Sequence, residues 1–326
     1  MWLCRKSHRH SWHRCPGTCD AGLADAFTTG LRRSQQTCTF HSFPSLRIQH
    51  VNNRINTVES LTIIPTGAAL GAEIRGLDLS LPLPDEMVTA VRRALLDHCV
   101  VFFRGQELSD EDQVRFTNYF GKAEVHVRDM PDRPVKEILF ISNIKKDGKD
   151  IGALGDREVG FHSDLAYMPK PGTLSALYAV EIPDSGGETR WGSGYAAYEA
   201  LEDGMKERLK GLRATHRHPD TPLNPPEIID HPVVCTHPET GRKSLYVTPM
   251  FTRSIVGLED HESRALVDTL ANHVTRPEFI WTHEWRVGDL VMWDNRPTMH
   301  GRGRFPSDQR RLMKRTQVFN DVAPVA

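Results

Sequence analysis

The stretch GFHSDLAYMPKPG, Gly160 to Gly172, sets a histidine and an aspartate two residues apart, His162 and Asp164, after an apolar residue and before a Pro/Gly-rich stop. On a strand, residues two apart point to one face, so this pair can act on one ligand. An H-x-D triplet is a weak signal alone in a chain with 16 histidines, and a second copy, His218-Pro219-Asp220, competes with it. Company at a distance separates the two. VMWDNRPTMHGRGRF puts His300 at the end of a strand-like run, and DQRRLMKRTQV further on holds Arg315. Two imidazoles and one carboxylate on one side of a metal leave three positions open, the donor set of non-haem Fe(II) oxygenases. A chelating 2-oxo acid can take two of those positions and O2 the third. The far carboxylate of such an acid needs an always-charged planar donor, which arginine supplies better than lysine. The same ligands would also serve a zinc hydrolase, for which no general base stands out.

The elements that must position these groups read as short strands with few helices. LTIIP and LGAEIRGLDL are predicted strands around a Gly-containing turn. Pro84-Asp85 opens a helix carrying Met87, Val88, Val91, Ala94 and Leu95 at helical spacing. CVVFFRG is a buried strand, and Ser109 with Asp112 resembles a capping box opening a helix to about Phe120. EILFISN is a strand, whereas KKDGKDIGALGD, Lys145 to Asp156, reads as a long loop of the kind that serves as a lid. TLSALYAV is a strand, DSGGET a turn, and TRW starts a strand before a helix from about Tyr195 to Leu201. Short strands are predicted at Arg213 to His218, Pro232 to Cys235 and Ser244 to Val247. A helix from about Glu259 to Val274 sets Leu266, Val267, Leu270 and Val274 on one face, and EFIWTHEW, DLVMWDN and RTQVF are strands. The rival His218/Asp220 pair, with its proline and no Gly-Gly-x-Thr turn after it, reads as a strand end in a loop. The pattern predicts a mainly β fold with peripheral helices, a double-stranded β-helix or jelly roll.

Composition bounds the partners. The 326 residues are 39% apolar and 25% charged, ordinary for a globular protein. The longest apolar runs, such as CVVFF, are far too short to cross a bilayer, so no membrane partner is expected. Residues 1–56 carry eight Lys/Arg against two acids, which leaves the remainder net acidic and speaks against a nucleic-acid substrate. The first fifty residues also hold four of the six cysteines and show no helical or alternating period. Cys4, His8, Cys15 and Cys19 match no common zinc spacing. The Arg-rich, acid-poor composition also fits a mitochondrial-type presequence. Residues 1–56 are expected to be a disordered N-terminal extension, with Val51 a candidate alternative initiation position, and 57–326 the domain. Cys99 and Cys235 are expected as core thiols of a reducing, cytoplasmic compartment. Homo-oligomerisation is left open.

Taken together, LGAEIRGLDLSLPL, VVFFRGQELSDEDQ, FHSD, GGET, WDNRPTMH and DQRRLMKRT resemble the taurine dioxygenase / aryloxyalkanoate dioxygenase family of Fe(II)- and 2-oxoglutarate-dependent enzymes, over roughly Leu61 to Asp321. The resemblance implies His162, Asp164 and His300 as iron ligands and as the catalytic centre. It implies Thr189 of GGET as a hydroxyl donor to 2-oxoglutarate, Arg315 as the clamp on its distal carboxylate and Arg311 as a second arginine near that carboxylate. WDN, Trp293 to Asn295, is expected to shape the strand and turn before His300. The co-substrates implied are 2-oxoglutarate and O2, with succinate and CO2 released as a small organic acid is hydroxylated. Asp164, where a halogenating relative would have a small residue, points to oxygen insertion. His126 falls where the taurine enzyme contacts a sulfonate, while Asp129 replaces an aromatic hydroxyl and Glu158 is expected at the mouth as a substrate contact. Two acids there would repel taurine, so sulfonates, aryloxyalkanoates and amino-acid derivatives all stay open. The alternative from another class is a non-catalytic jelly-roll metal- or ligand-binding protein, against which an intact Asp164 and Arg315 speak.

Overall fold

The computed structural model describes residues 56, 61–126, 133–319 and 323–326. The expectations for residues 1–55 and for Asp129 lie outside the described residues. Strands dominate, with few helices. An eight-stranded sheet runs in the order Thr62–Pro65, Ala72–Arg75, Val100–Phe103, Leu290–Asp294, Gly172–Glu181, Leu312–Phe319, Leu139–Ser142, Ala153–Leu154. A four-stranded antiparallel sheet runs Ile280–His283, Thr189–Ser193, Thr298–Arg302, Val159–His162. The strands LVMWD and VVFF are buried at every position. A strand covered on both faces needs a continuous apolar run rather than alternation, which is why both are conspicuous in the sequence.

The two sheets share one apolar cluster. Val100, Leu177, Val291 and Met313 of the large sheet pack with Trp191 of the small one, and the Trp191 and Trp293 rings meet edge-on with centroids 5.5 Å apart. The outer face of the large sheet is covered by the helices Asp85–His98 and Asp110–Asn118 through Met87, Val91, Leu95 and Phe116. The second of these helices begins with the capping box anticipated from Ser109 and Asp112: each residue's side chain accepts the other's backbone N–H, at 3.1 and 3.0 Å. The helix Asp260–Val274 buries Leu266, Val267, Leu270 and Val274 in a third cluster, beside a three-stranded sheet of Ile229–Pro232, Arg213–His216 and Thr252–Ile255.

Three expectations change. Residues 145–156 are not a bare loop: Lys145–Lys146 and Lys149–Asp150 form a small hairpin, and Ala153–Leu154 adds a parallel edge strand to Leu139–Ser142. The run predicted at Pro232 to Cys235 is two strands, because pairing switches at Val233 from Arg213–His216 to Lys243–Leu245. The strand Thr252–Ile255 and the helix Asp203–Leu209 were not anticipated; both are short and mostly polar, so neither shows a clear apolar period. Cys99 and Cys235 are buried free thiols, each pushed up to about 12 by burial.

Candidate active site

His162 ends its strand and His300 lies mid-strand directly opposite it in the small sheet. Beyond that pair the register slips, and Arg302 opposes Val159, so two steps along one strand match three along the other. This β-bulge needs a close approach: a Cβ on Gly301 would lie 2.9 Å from the Val159 carbonyl oxygen. It brings Val159 into phase with His162, and both line the same pocket. The preceding residue is thereby turned outwards. Glu158 is an exposed partner of Arg190 at 3.1 Å, next to the pocket residue Val159 but not itself among the lining residues.

Asp164 follows the strand and is positioned by groups from the opposite sheet. Its backbone N–H donates to Asn295 Oδ1 at 3.2 Å, and its carbonyl accepts from Gly172 N–H at 3.1 Å. Ser175 Oγ donates to Asp164 Oδ2 at 2.7 Å while accepting from Asn295 Nδ2 at 3.0 Å and Gln317 Nε2 at 3.1 Å. A hydroxyl has one proton and two lone pairs, so those two amides commit its proton to Oδ2. Oδ1 faces the histidines, 3.8 Å from His162 Nε2 and 3.9 Å from His300 Nε2, and it accepts from Arg315 Nη1 at 3.2 Å. Leu165, next in the chain, takes a left-handed φ of 59°, a costly conformation for a branched residue.

The donor atoms of the three residues lie within 4.8 Å of one another and all are buried. His162 Nδ1 bonds the Gly160 carbonyl at 2.8 Å and therefore carries the proton, leaving Nε2 as a ligand atom. Burial pushes both imidazoles down, His300 to about 3, with Arg315 acting in the same direction. Both are neutral near pH 7, as metal ligation requires. Burial pushes the Asp164 carboxyl up, but the Arg315 guanidinium, with the Ser175 hydrogen bond, outweighs it and holds it well below the usual carboxylate range. Two neutral nitrogens and one anionic oxygen fit a divalent first-row metal with open positions.

The pocket around this centre has two sides. One is lined by Thr189, Trp293, Arg302, Arg311 and Arg315. Thr189 Oγ1 accepts from Trp285 Nε1 at 3.0 Å, so its own proton is available to a ligand. Arg311 is 1% exposed; its Nη2 lies 3.4 Å from the Gly187 carbonyl, and its Nε and Nη1 have no partner among the described residues. Arg315 lines both sides of the pocket; its Nη1 bonds Asp164, and its Nε has no partner among the described residues. The other side is lined by His126, Leu139, Tyr167, His218, Met250 and Phe251. His218 is thus part of this pocket and not a remote strand end, its ring 5.1 Å from Tyr167 and 5.3 Å from Phe251. Its Nδ1 accepts from the Asp220 N–H at 2.9 Å, which leaves Nε2 as the protonated nitrogen. Sequence reasoning missed Ser175, Asn295 as a support for Asp164, Trp285, Arg302, Met250 and Phe251. WDN was noticed, but as a shaper of the turn alone.

A buried His-Asp-His cluster of this kind, flanked by arginines, defines a mononuclear metal centre of the facial-triad class. The chain belongs to the family described as taurine catabolism dioxygenase TauD, TfdA family, whose model matches residues 62–317. It is 32% identical over 287 residues to the alkylsulfatase of Acinetobacter baylyi, covering 82% of this chain and 87% of that protein. It is likewise 32% identical over 285 residues to the alpha-ketoglutarate-dependent 2,4-dichlorophenoxyacetate dioxygenase of Cupriavidus pinatubonensis, covering 81% of this chain and 99% of that one. A solved taurine dioxygenase from Burkholderia xenovorans superposes with a TM-score of 0.72 at 37% identity, over 82% of this chain and 91% of that chain. The structure of AAD-2 with Mn(II) and N-oxalylglycine is similar with a TM-score of 0.70 at 30% identity, over 82% of this chain and 99% of that one. The chain is an enzyme of the Fe(II)- and 2-oxoglutarate-dependent dioxygenase class. No helix among the described residues is long and apolar enough to cross a membrane.

Proposed function

We propose that this enzyme hydroxylates a small organic anion with an apolar body, of the aryloxyalkanoate or alkyl sulfate ester type, in a double-stranded β-helix domain spanning 57–326. The observation that carries this reading is the lining of the substrate side. Leu139, Ile141, Leu154, Val159, Met250 and Phe251 supply apolar walls, and His126, His218 and Arg315 supply polar nitrogens. Asp164 is the one carboxylate in that lining, and its charge is committed to the metal and Arg315. With Glu158 on the outside, the described wall offers no acid to hold a substrate ammonium group. The relatives' named substrates, alkyl sulfates and 2,4-dichlorophenoxyacetate, have this same apolar-anionic character.

In this reading His162, Asp164 and His300 hold the iron. Bound iron(II), with 2-oxoglutarate and O2, supplies insertion of one oxygen atom into a substrate C–H bond, the other leaving in succinate beside CO2. Arg311 and Thr189 take the distal carboxylate of the co-substrate: among the described residues, Arg311 has two unpartnered nitrogens and no carboxylate bonded to it, and Thr189 has a free proton, whereas one Arg315 nitrogen already bonds Asp164 and, of its buried nitrogens, only Nε is unpartnered. Arg315 sits where it neutralises carboxylate charge next to the metal. Ser175 keeps Asp164 Oδ2 engaged, so that Oδ1 alone is presented to the ion. His126 and His218 orient the substrate anion, and the aliphatic walls exclude water. A hydroxyl placed on a carbon that bears an ether or ester oxygen makes the adduct collapse to a carbonyl with cleavage of that C–O bond. The partners are small molecules, and the reduced buried cysteines fit a cytoplasmic enzyme. Succinate formation across aryloxyalkanoates, alkyl sulfates, sulfonates and amino-acid derivatives tests the reading. Apolar anions should lead, and a preference for zwitterionic amino acids would overturn it.

A further inference from the structure

A third arginine lines the co-substrate side of the pocket. Arg302 lies two residues beyond His300 on the same strand and stands directly opposite Thr189 across the antiparallel pair. Directly opposed residues bring their Cβ atoms to roughly 5 Å, so Arg302 and Thr189 are neighbours in the wall they share with Arg311. Arg302 is 5% exposed. One nitrogen, Nη2, donates to the carbonyls of Leu154, at 3.3 Å, and Arg157. The other two, Nε and Nη1, have no partner among the described residues.

Arg302 and Arg311 flank the Phe305 ring, at 5.2 and 6.0 Å from its centroid. Burial pushes Arg302 down to about 10, against the opposing charge of Asp156, and Arg311 down to about 9, the latter also through the charge of Arg302. Two buried like charges with unmade hydrogen bonds are costly unless an anion joins them. The carbonyls that Arg302 holds belong to the segment between the small hairpin and the strand of His162. There Leu154 has a left-handed φ of 72° and lines both sides of the pocket.

We propose that Arg302 is a latch between the co-substrate and this segment. It shares the distal carboxylate with Arg311 and Thr189. Through its bonds to Leu154 and Arg157 it holds residues 151–158 closed while that anion is bound. Because Leu154 also walls the substrate side, co-substrate binding completes the substrate compartment. The inference rests on the site being a 2-oxo acid pocket.

The test is a calorimetric titration of the Mn(II)-loaded protein with N-oxalylglycine, an isostere of 2-oxoglutarate, alongside hydrogen exchange over residues 151–158. In the unmodified protein the ligand should bind and slow exchange in that segment. In Arg302→Gln the affinity should fall at least about tenfold, as expected when a hydrogen bond to a charged group is lost. The slowing should be absent even at saturation. Arg302→Lys, which keeps the charge without the fork, should fall between, and it carries the test if Arg302→Gln does not fold. Failure of the unmodified protein to bind would overturn the pocket reading itself. Undiminished affinity in Arg302→Gln would overturn the shared clamp, and weakened affinity with full slowing of exchange would overturn the latch.

Discussion

Asp164 has two oxygens with different tasks, and its neighbours divide them. Ser175 takes Oδ2, while Oδ1 faces His162, His300 and Arg315. His162→Ala, Asp164→Ala and His300→Ala should each abolish Fe(II) binding and turnover. His218→Ala should keep the metal and raise KM for the substrate, because His218 lines the pocket without joining the cluster. Loss of iron in His218→Ala, measured by metal analysis after anaerobic reconstitution, would return the rival H-x-D pair to contention. The two arginines near the end of the chain are separable in the same way. Arg311→Leu removes a cationic partner of the buried distal carboxylate proposed above, and truncating one partner of such a pair costs roughly 2–5 kcal/mol. Affinity for 2-oxoglutarate should fall at least about thirtyfold, at about tenfold per 1.4 kcal/mol. Arg315→Leu should instead alter the metal site as well, since Arg315 Nη1 bonds Asp164 Oδ1, the oxygen that faces both histidines. Anaerobic titration followed by the metal-to-ligand charge-transfer band distinguishes them. Equal, small effects of both changes on the 2-oxoglutarate titration would place the clamp elsewhere.

At the level of elements, the bulge between Val159–His162 and Thr298–Arg302 decides what the pocket contains. It puts Val159 inside and Glu158 outside, and it holds His162 opposite His300. The close approach at Gly301 is to a backbone oxygen, which cannot swing aside as a flexible side chain can. Gly301→Ala should therefore push the two strands apart and loosen the metal cluster more than it harms the fold. We expect Fe(II) affinity to drop by about tenfold or more, with a loss of stability of about 1–3 kcal/mol, the usual range for overpacking. Gly192→Ala on the adjacent strand is the control. Its Cβ would meet the Met299 and Ile280 side chains, whose ends can move, so its metal affinity should stay near that of the parent. If Gly301→Ala binds iron as tightly as Gly192→Ala does, the bulge does not set the cluster.

The whole molecule should lose stability in mild acid through histidines outside the metal site. His216, in the three-stranded sheet, is pushed down to about 3 by burial, helped by its neighbour His231, which burial also lowers. Unfolded, each would bind a proton below about pH 6.5, while the folded state takes it up only at lower pH, for His216 not until about pH 3. The unfolded chain then holds more protons, so stability is complete above about pH 6.5 and falls as pH drops toward 3, by up to about 1.4 kcal/mol per pH unit for each group. Urea midpoints at pH 7.5 and pH 5 should differ less in His216→Leu than in the parent, whatever that change does to stability at pH 7.5. An identical acid loss in both proteins would place the sensitivity in other groups.

Residue type and local period carried much of this protein. His162, Asp164 and His300 were legible as a candidate set because a two-residue spacing on a strand puts His162 and Asp164 on one face and the distant motifs around His300 and the arginines gave them company, and the three do lie together in one buried cluster. The helices Asp85–His98 and Asp260–Val274 were legible from apolar spacing, and Val100–Phe103 and Leu290–Asp294 from unbroken apolar runs, since burial writes those patterns directly into the chain. Tertiary structure alone decided the rest. Glu158 reads as a neighbour of His162, yet a single-residue slip in pairing turns it to solvent. Arg311 and Arg315 are the same residue type four apart, and which of them Asp164 occupies depends on a contact between two sheets. His218 enters the pocket through a loop whose local sequence resembles a decoy. Arg302 faces Thr189 through strand register, and register joins residues distant in the chain by backbone hydrogen bonds that leave no signature in side-chain order.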